Sequence, residues 1–246
     1  MPRWRNWYTH YLEVVAGAIP WRFESSPGHQ KQLSKFGWLF LFLDAIVLLG
    51  LSNNFFMLNI PIVLGSVRQN RQSYGYAKLL QQQIIKLGYQ STLVDFKELP
   101  LPFFDSPNVP VAMKGIYPYE NVQKWSQIAR TADAFVLISP EYNHGYTAVL
   151  KNALDWLYME FEKKPFGLVG VSDGRMGGVR SIEQLRPVIE NFGAVAIRET
   201  LLFNVAEQVI DGQCNLVDST SEGKINRFLN ALSWWANALR NARDNK

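Results

Sequence analysis

The loop Pro140-Glu141-Tyr142-Asn143-His144-Gly145 follows directly on Ala134 to Ile138, an apolar run of strand length. It precedes Ala148 to Leu157, where apolar residues recur at helical spacing. A loop at the carboxyl end of a strand, leading into a helix, is where open α/β sheets bind ligands. Pro, Asn and Gly form turns. The helix N-terminus behind such a turn offers unpaired N–H groups and a partial positive charge. The chemistry favoured here is the holding of something flat or anionic.

A second turn, Gly65-Ser66-Val67-Arg68-Gln69-Asn70-Arg71-Gln72-Ser73, follows the apolar run Ile60 to Leu64. Gly65 lets the backbone turn sharply where the strand ends. Ser66 and Ser73 bring hydroxyls, Arg68 and Arg71 bring cationic forks, and a helix begins near Ser73. These are the ingredients of a phosphate cradle; taken alone, the turn reads equally as a helix start with two surface arginines. The chain has no G-x-G-x-x-G turn and no G-K-[ST] sequence, so neither a dinucleotide fold turn nor triphosphate hydrolysis is indicated. A receiver domain needs an acidic pair after its first strand and an Asp after its third. Gly65-Ser66 and Ser139-Pro140 stand there instead. What remains is a phosphate monoester on a ligand that reaches the third-strand loop.

Other chemistries are closed off by composition. A single cysteine, Cys214, excludes an internal disulfide and a thiolate metal cluster. His10 and His29 lie in an atypical N-terminal stretch, which leaves His144 alone in the main domain; no metal is expected. Neither flank of a Cys214–His144 pair resembles an activated thiol. The formal charge is +4, without a Lys/Arg cluster, so the excess reads as solvated surface and no nucleic-acid partner is expected.

The elements that must position the two loops alternate after Met57. Strands are expected at Ile60–Leu64, Ser91–Phe96, Ala134–Ile138, Phe166–Val171 and Ala194–Ile197. Helices are expected at Tyr74–Leu87, Glu120–Thr131, Thr147–Tyr158, Val179–Asn191 and Glu222–Arg240. This alternation argues for an α/β fold, a doubly wound three-layer sandwich around a parallel sheet. The Pro-rich connection from Lys97 to Pro118 is long enough to be functional or mobile.

Residues 1–56 differ in character. Four of the eight tryptophans fall there without helical or alternating order. The apolar stretch Phe36–Leu51, interrupted by Asp44, is shorter than the roughly 20 residues that span a bilayer, and a signal-peptide pattern is missing. A peripheral anchor and an extra packed helix are the alternatives. The favoured expectation is a poorly ordered segment, or one upstream of the true start at Met57, ahead of the α/β domain over 57–246.

With both loops in hand, the sequence resembles the NADPH-dependent FMN reductase family of flavodoxin-like proteins, which includes soluble quinone, azo-dye and chromate reductases. The resemblance rests on residues 65–73, on 139–156 (SPEYNHGYTAVLKNALDW) and on 172–189 (SDGRMGGVRSIEQLRPVI). It implies a flavodoxin-like five-stranded parallel sheet of order 2-1-3-4-5. It places the FMN phosphate on Ser66, Arg68 and Ser73, together with Arg71. Pro140, Glu141, Tyr142, Asn143 and His144 would surround the ring, and the Ser172 loop with Gly174 and Gly177 would flank its other edge. The chain departs from many relatives in having Arg71-Gln72-Ser73-Tyr74 where they carry Ser-x-Asn. The implied activity passes two electrons from NADPH or NADH through bound FMN to a quinone, azo compound or flavin, with no catalytic side chain. A cytoplasmic homodimer or homotetramer, not a membrane protein, is implied. The competing readings are a one-electron flavodoxin-like carrier, against which the basic charge and Arg175 and Arg180 speak, and a binding module that has lost flavin.

Overall fold

The computed structural model describes residues 57–245. The expectations for residues 1–56, including His10 and His29, lie outside the described residues. Five strands, β1 (Ile62–Leu64), β2 (Leu93–Asp95), β3 (Phe135–Pro140), β4 (Pro165–Ser172) and β5 (Val195–Asn204), form one parallel sheet of order β2-β1-β3-β4-β5. This is the flavodoxin-like order, with its switch point between β1 and β3. The helices are α1 (Ser73–Lys86), the short α2 (Pro110–Met113), α3 (Glu120–Thr131), α4 (Ala148–Asp155), α5 (Val179–Asn191) and α6 (Ser219–Asp244). Among the described residues no helix is long and apolar enough to cross a membrane.

Strand alternation divides the core in two, as a sheet covered on both faces requires. Ile62, Leu64, Val136, Ile138, Val169 and Val171 pack with α1 and α6 through Tyr76, Leu80, Phe228 and Leu232. Val63, Phe135, Leu137, Phe166 and Leu168 face α3, α4 and α5 through Trp125, Leu154 and Leu185. The near-continuous apolar runs of β3 and β4 follow from burial on both faces.

Several boundaries move from the sequence expectation by a few residues, and the shifts at β1 and β5 have a visible cause. β1 begins at Ile62, while Asn59 makes an isolated bridge to Gln90. β5 runs on to Asn204, well past Ile197, because a bulge sets Ile197, Arg198 and Glu199 opposite Gly167 alone. Arg186 on α5 holds that bulge by donating to the Ile197 carbonyl (3.0 Å) and the Thr200 hydroxyl (2.6 Å). The polar residues that end the apolar run in sequence thus sit in the bulge, and pairing resumes beyond them.

Buried polar groups pin the end of the sheet remote from the two turns. Glu160, 6% exposed, accepts from the Tyr117 hydroxyl (2.8 Å) and from Ser126 Oγ (2.7 Å). Burial and then the Glu160 hydrogen bond push the Tyr117 phenol up. Lys164, also 6% exposed, donates to the carbonyls of Ala129 (2.7 Å) and Arg130 (2.9 Å) at the end of α3, where a cation complements the helix dipole. Burial, with repulsion from Arg243, lowers the Lys164 ammonium to about 8 from its ordinary 10.5. The folded state therefore releases this proton at lower pH than the unfolded chain does. Its contribution is fully present above pH 10.5 and is lost as pH falls through 8. Urea unfolding should show wild type gaining up to ~3 kcal/mol over Lys164→Met between pH 8 and 10.5.

Candidate functional site

β1 and β3 are neighbours, so the turn after one and the loop after the other converge. The ladder continues one residue past β1, with the Gly65 N–H donating to the Ile138 carbonyl at 2.8 Å. A Cβ on Gly65 would stand 2.8 Å from that oxygen and 3.2 Å from Leu150 Cδ2, which only glycine avoids. Thr147, the N-cap of α4, donates its hydroxyl to the Gly65 carbonyl (2.5 Å) and accepts from the Leu150 N–H (3.2 Å). One hydroxyl thus ties the turn after β1 to the helix after β3. The sequence reading gave Thr147 no such role; a threonine just ahead of an apolar helical run is the N-cap signal that finds it.

The two turns touch through side chains. Ser66 Oγ lies 3.1 Å from the Tyr142 hydroxyl, and the Arg68 guanidinium stands over the Tyr142 ring at 5.7 Å, within cation–π range. Between the turns opens a cleft of about 370 Å³. Of the expected site residues, Ser66, Arg68, Arg71, Ser73, Pro140, Glu141, Tyr142 and Ser172 line it. Asn143, His144, Gly174 and Gly177 are not among the lining residues, whereas Asn70, Gln72, Val171, Asp173 and Val205 are.

Two buried polar atoms in this lining have no partner, Ser73 Oγ and Arg71 Nε. Ser73 opens α1 and is 3% exposed. Arg71 forms an ion pair with Asp95, and its guanidinium stands 5.5 Å from the Tyr74 ring. Leaving a buried donor unpaired costs about 1–3 kcal/mol, so such atoms call for an explanation. Phosphate oxygens would satisfy both, and the donor set fits that group.

The 140–145 loop is held from α5. Tyr142 and Gly145 exchange backbone hydrogen bonds of 2.9 and 3.0 Å, closing a two-residue turn. Asn143 (φ 51°) and His144 (φ 67°) occupy its centre, as a type I′ turn requires. Gln184 Nε2 donates to the His144 carbonyl at 2.7 Å. The Glu141 carboxylate accepts from the Arg180 N–H (3.1 Å) and guanidinium (3.2 Å). Gly178 at the N-cap of α5 has no side chain to offer, so Glu141 caps the helix in its place. Gly177 (φ 56°) approaches β5 instead: its Cβ would lie 2.8 Å from the Leu202 carbonyl carbon and 2.9 Å from the Phe203 nitrogen. The paired glycines serve a tight helix start against the sheet. Gly174 donates its N–H to Ser172 Oγ at 3.1 Å.

Comparison with known proteins bears on what such a cleft holds. The model of the NADPH-dependent FMN reductase family matches residues 58–208, more than half of the chain. The chain belongs to this family. It is accordingly an oxidoreductase of the FMN- and NAD(P)H-dependent class. An NAD(P)H-dependent FMN reductase of Schizosaccharomyces pombe is 35% identical over 134 residues, 52% of this chain and 64% of the relative. Its counterpart in Saccharomyces cerevisiae is 32% identical over 156 residues, 57% of this chain and 81% of the relative. The fold matches that of FerB, a flavoenzyme NAD(P)H:(acceptor) oxidoreductase from Paracoccus denitrificans, with a TM-score of 0.64 at 21% identity, covering 74% of this chain and 98% of that one.

In this family member the Leu150-Lys151-Asn152-Ala153-Leu154-Asp155-Trp156 stretch is architectural. Asn152 accepts from the Phe104 N–H (2.9 Å) and donates to the Pro102 carbonyl (2.8 Å), which also accepts from Trp156 Nε1 (2.8 Å). Lys151 pairs with Asp155 at 2.6 Å along the helix. The motif fastens the Lys97–Pro118 connection to α4.

Since Glu141 caps α5 and is itself 11% exposed as a side chain, Glu141→Ala should cost about 1 kcal/mol of stability in urea titrations. Arg180→Ala should cost less, because that side chain is half exposed and its N–H remains in place.

Proposed function

We propose that this chain is an NAD(P)H:acceptor oxidoreductase that holds FMN in the cleft between the 65–73 turn and the 140–145 loop and reduces a quinone, azo compound or flavin. The observation that carries this reading is the pair of buried, unpartnered donors on Arg71 and Ser73, in a cleft that also reaches Tyr142 and Ser172. Ser66, Arg68, Arg71 and Ser73 would bind the phosphate at the start of α1, where the helix dipole favours an anion. Pro140, Glu141, Tyr142, Asn143 and His144 would orient the ring, with the loop's backbone fixed by Gln184 and by the Glu141 cap. Ser172 and Gly174 would flank the other edge, and Gly177 would act by letting that loop lie close on β5. When bound, FMN supplies the two-electron chemistry itself. The protein's part is to grip, orient and shield it.

Assembly as a cytoplasmic homodimer or homotetramer belongs to the same reading. Phe103 and Ile116, each 79% exposed on the long connection, offer apolar surface for it.

The test is direct. The purified full chain should be yellow, or become so on loading with FMN. It should oxidise NADH or NADPH with a quinone, an azo dye or free flavin as acceptor, giving parallel double-reciprocal lines. A protein that cannot be loaded with FMN would refute the assignment. Arg68→Ala should weaken FMN binding about tenfold, as expected for a lost charge-assisted hydrogen bond; unchanged affinity removes Arg68 from the phosphate site.

A further inference from the structure

Asp95 lies outside every motif that marks the cleft, yet it is paired with one of the cleft's arginines. It ends β2 and is in register with Leu64, the last residue of β1, so its carboxylate stands beside the point where the 65–73 turn departs. Oδ2 accepts from Arg71 Nη2, and Oδ1 accepts from the Lys97 N–H at 3.0 Å. The two side chains are only 9% and 10% exposed. Tyr74, one helical residue past Ser73, presents its ring 5.5 Å from the Arg71 guanidinium.

Arginine is a rigid planar fork. With one Nη held by Asp95 and the plane steadied by Tyr74, little freedom is left to the rest of the group. Its Nε–H is buried and unpartnered, as is the hydroxyl of Ser73 two residues on. The pair Arg71–Asp95 carries no net charge. What it offers to a ligand is therefore a directed donor rather than a field, unlike the exposed Arg68.

We propose that Asp95 is a positioning residue for recognition of a phosphate monoester. It holds Arg71 so that Nε–H and the Ser73 hydroxyl together take the phosphate end of the flavin and distinguish FMN from unphosphorylated riboflavin. The inference rests on the flavin reading above and deepens it. Asp95 itself touches no ligand; removing its charge loosens the arginine and leaves that guanidinium buried without its partner.

Titration of the full-length apoprotein with FMN and, separately, with riboflavin, followed by flavin fluorescence, tests it. Asp95→Asn should weaken FMN binding about tenfold and leave riboflavin unchanged. Arg71→Lys keeps the charge but lacks the Nε–H, and should lose FMN to the same extent. In an Arg71→Ala background, Asp95→Asn should add nothing. Equal losses for FMN and riboflavin would mean that Asp95 is merely structural and would overturn the proposal. So would unchanged or tighter FMN binding in Asp95→Asn, or a further loss in the Arg71→Ala background. If Asp95→Asn does not fold, Arg71→Lys decides: full retention of FMN affinity there is enough to sink the idea. A wild-type protein that binds riboflavin and FMN equally refutes the phosphate role alone, whereas one that binds neither refutes the flavin assignment as well.

Discussion

At Gly65 three segments meet with no room for a side chain. Its N–H is on the Ile138 carbonyl, its own carbonyl takes the Thr147 hydroxyl, and Leu150 of α4 closes the remaining space. Where the β1 backbone ends thus fixes where α4 begins, and the helix after β3 cannot slide without breaking the turn after β1. The cleft is the gap left beside this junction as the chains leave the sheet on opposite faces, which is why it falls at the switch point of the strand order.

Around that junction the loops are held by charged and polar side chains that link them to neighbouring elements. Glu141 reaches to the start of α5, Gln184 reaches back to the His144 carbonyl, and Asp95 takes Arg71. Asp95 pairs a largely buried arginine, and the other two ties pair backbone groups nearer the surface. The ties also come from different layers, so the three loops that line the cleft are braced against the sheet and α5 rather than against one another alone. Asn143 and His144, both in the left-handed region, show the cost of this bracing: neither is glycine, and the residue closing the turn is positioned by an α5 side chain.

Much of the fold was legible because β3 and β4 are buried on both faces and so spell unbroken apolar runs. β5 was half legible. Arg198 and Glu199 stopped the run at a bulge whose compensation, Arg186, lies on another element. The cleft residues Ser66, Arg68 and Ser73 stood out from their types within one turn, since turn residues and helix starts are short-range signals, whereas the place of Tyr142 came from the resemblance. The partners that fix them could not. Asp95 is far along the chain from Arg71, and Glu141 from Arg180, and single-sequence patterns carry no record of such pairings. The contacts that require glycine at 177 and 178 are likewise long-range, with β5 and β4.

The Lys97–Pro118 connection is fastened at several places, by Asn121 at Pro100, by Asn152 and Trp156 at Pro102 and Phe104, by Gln123 at Gly115 and by Glu160 at Tyr117. Between Phe104 and Gly115 the chain carries the exposed Val109 and Val111 and the one-turn helix α2. A span clamped at both ends can lengthen, shorten or change composition without passing the disturbance into the structure beyond its clamps, because loop closure grows only slowly more costly with length. No residue of this connection lines the cleft, so what the protein meets from outside can be rewritten there while the cleft's lining stays as it is.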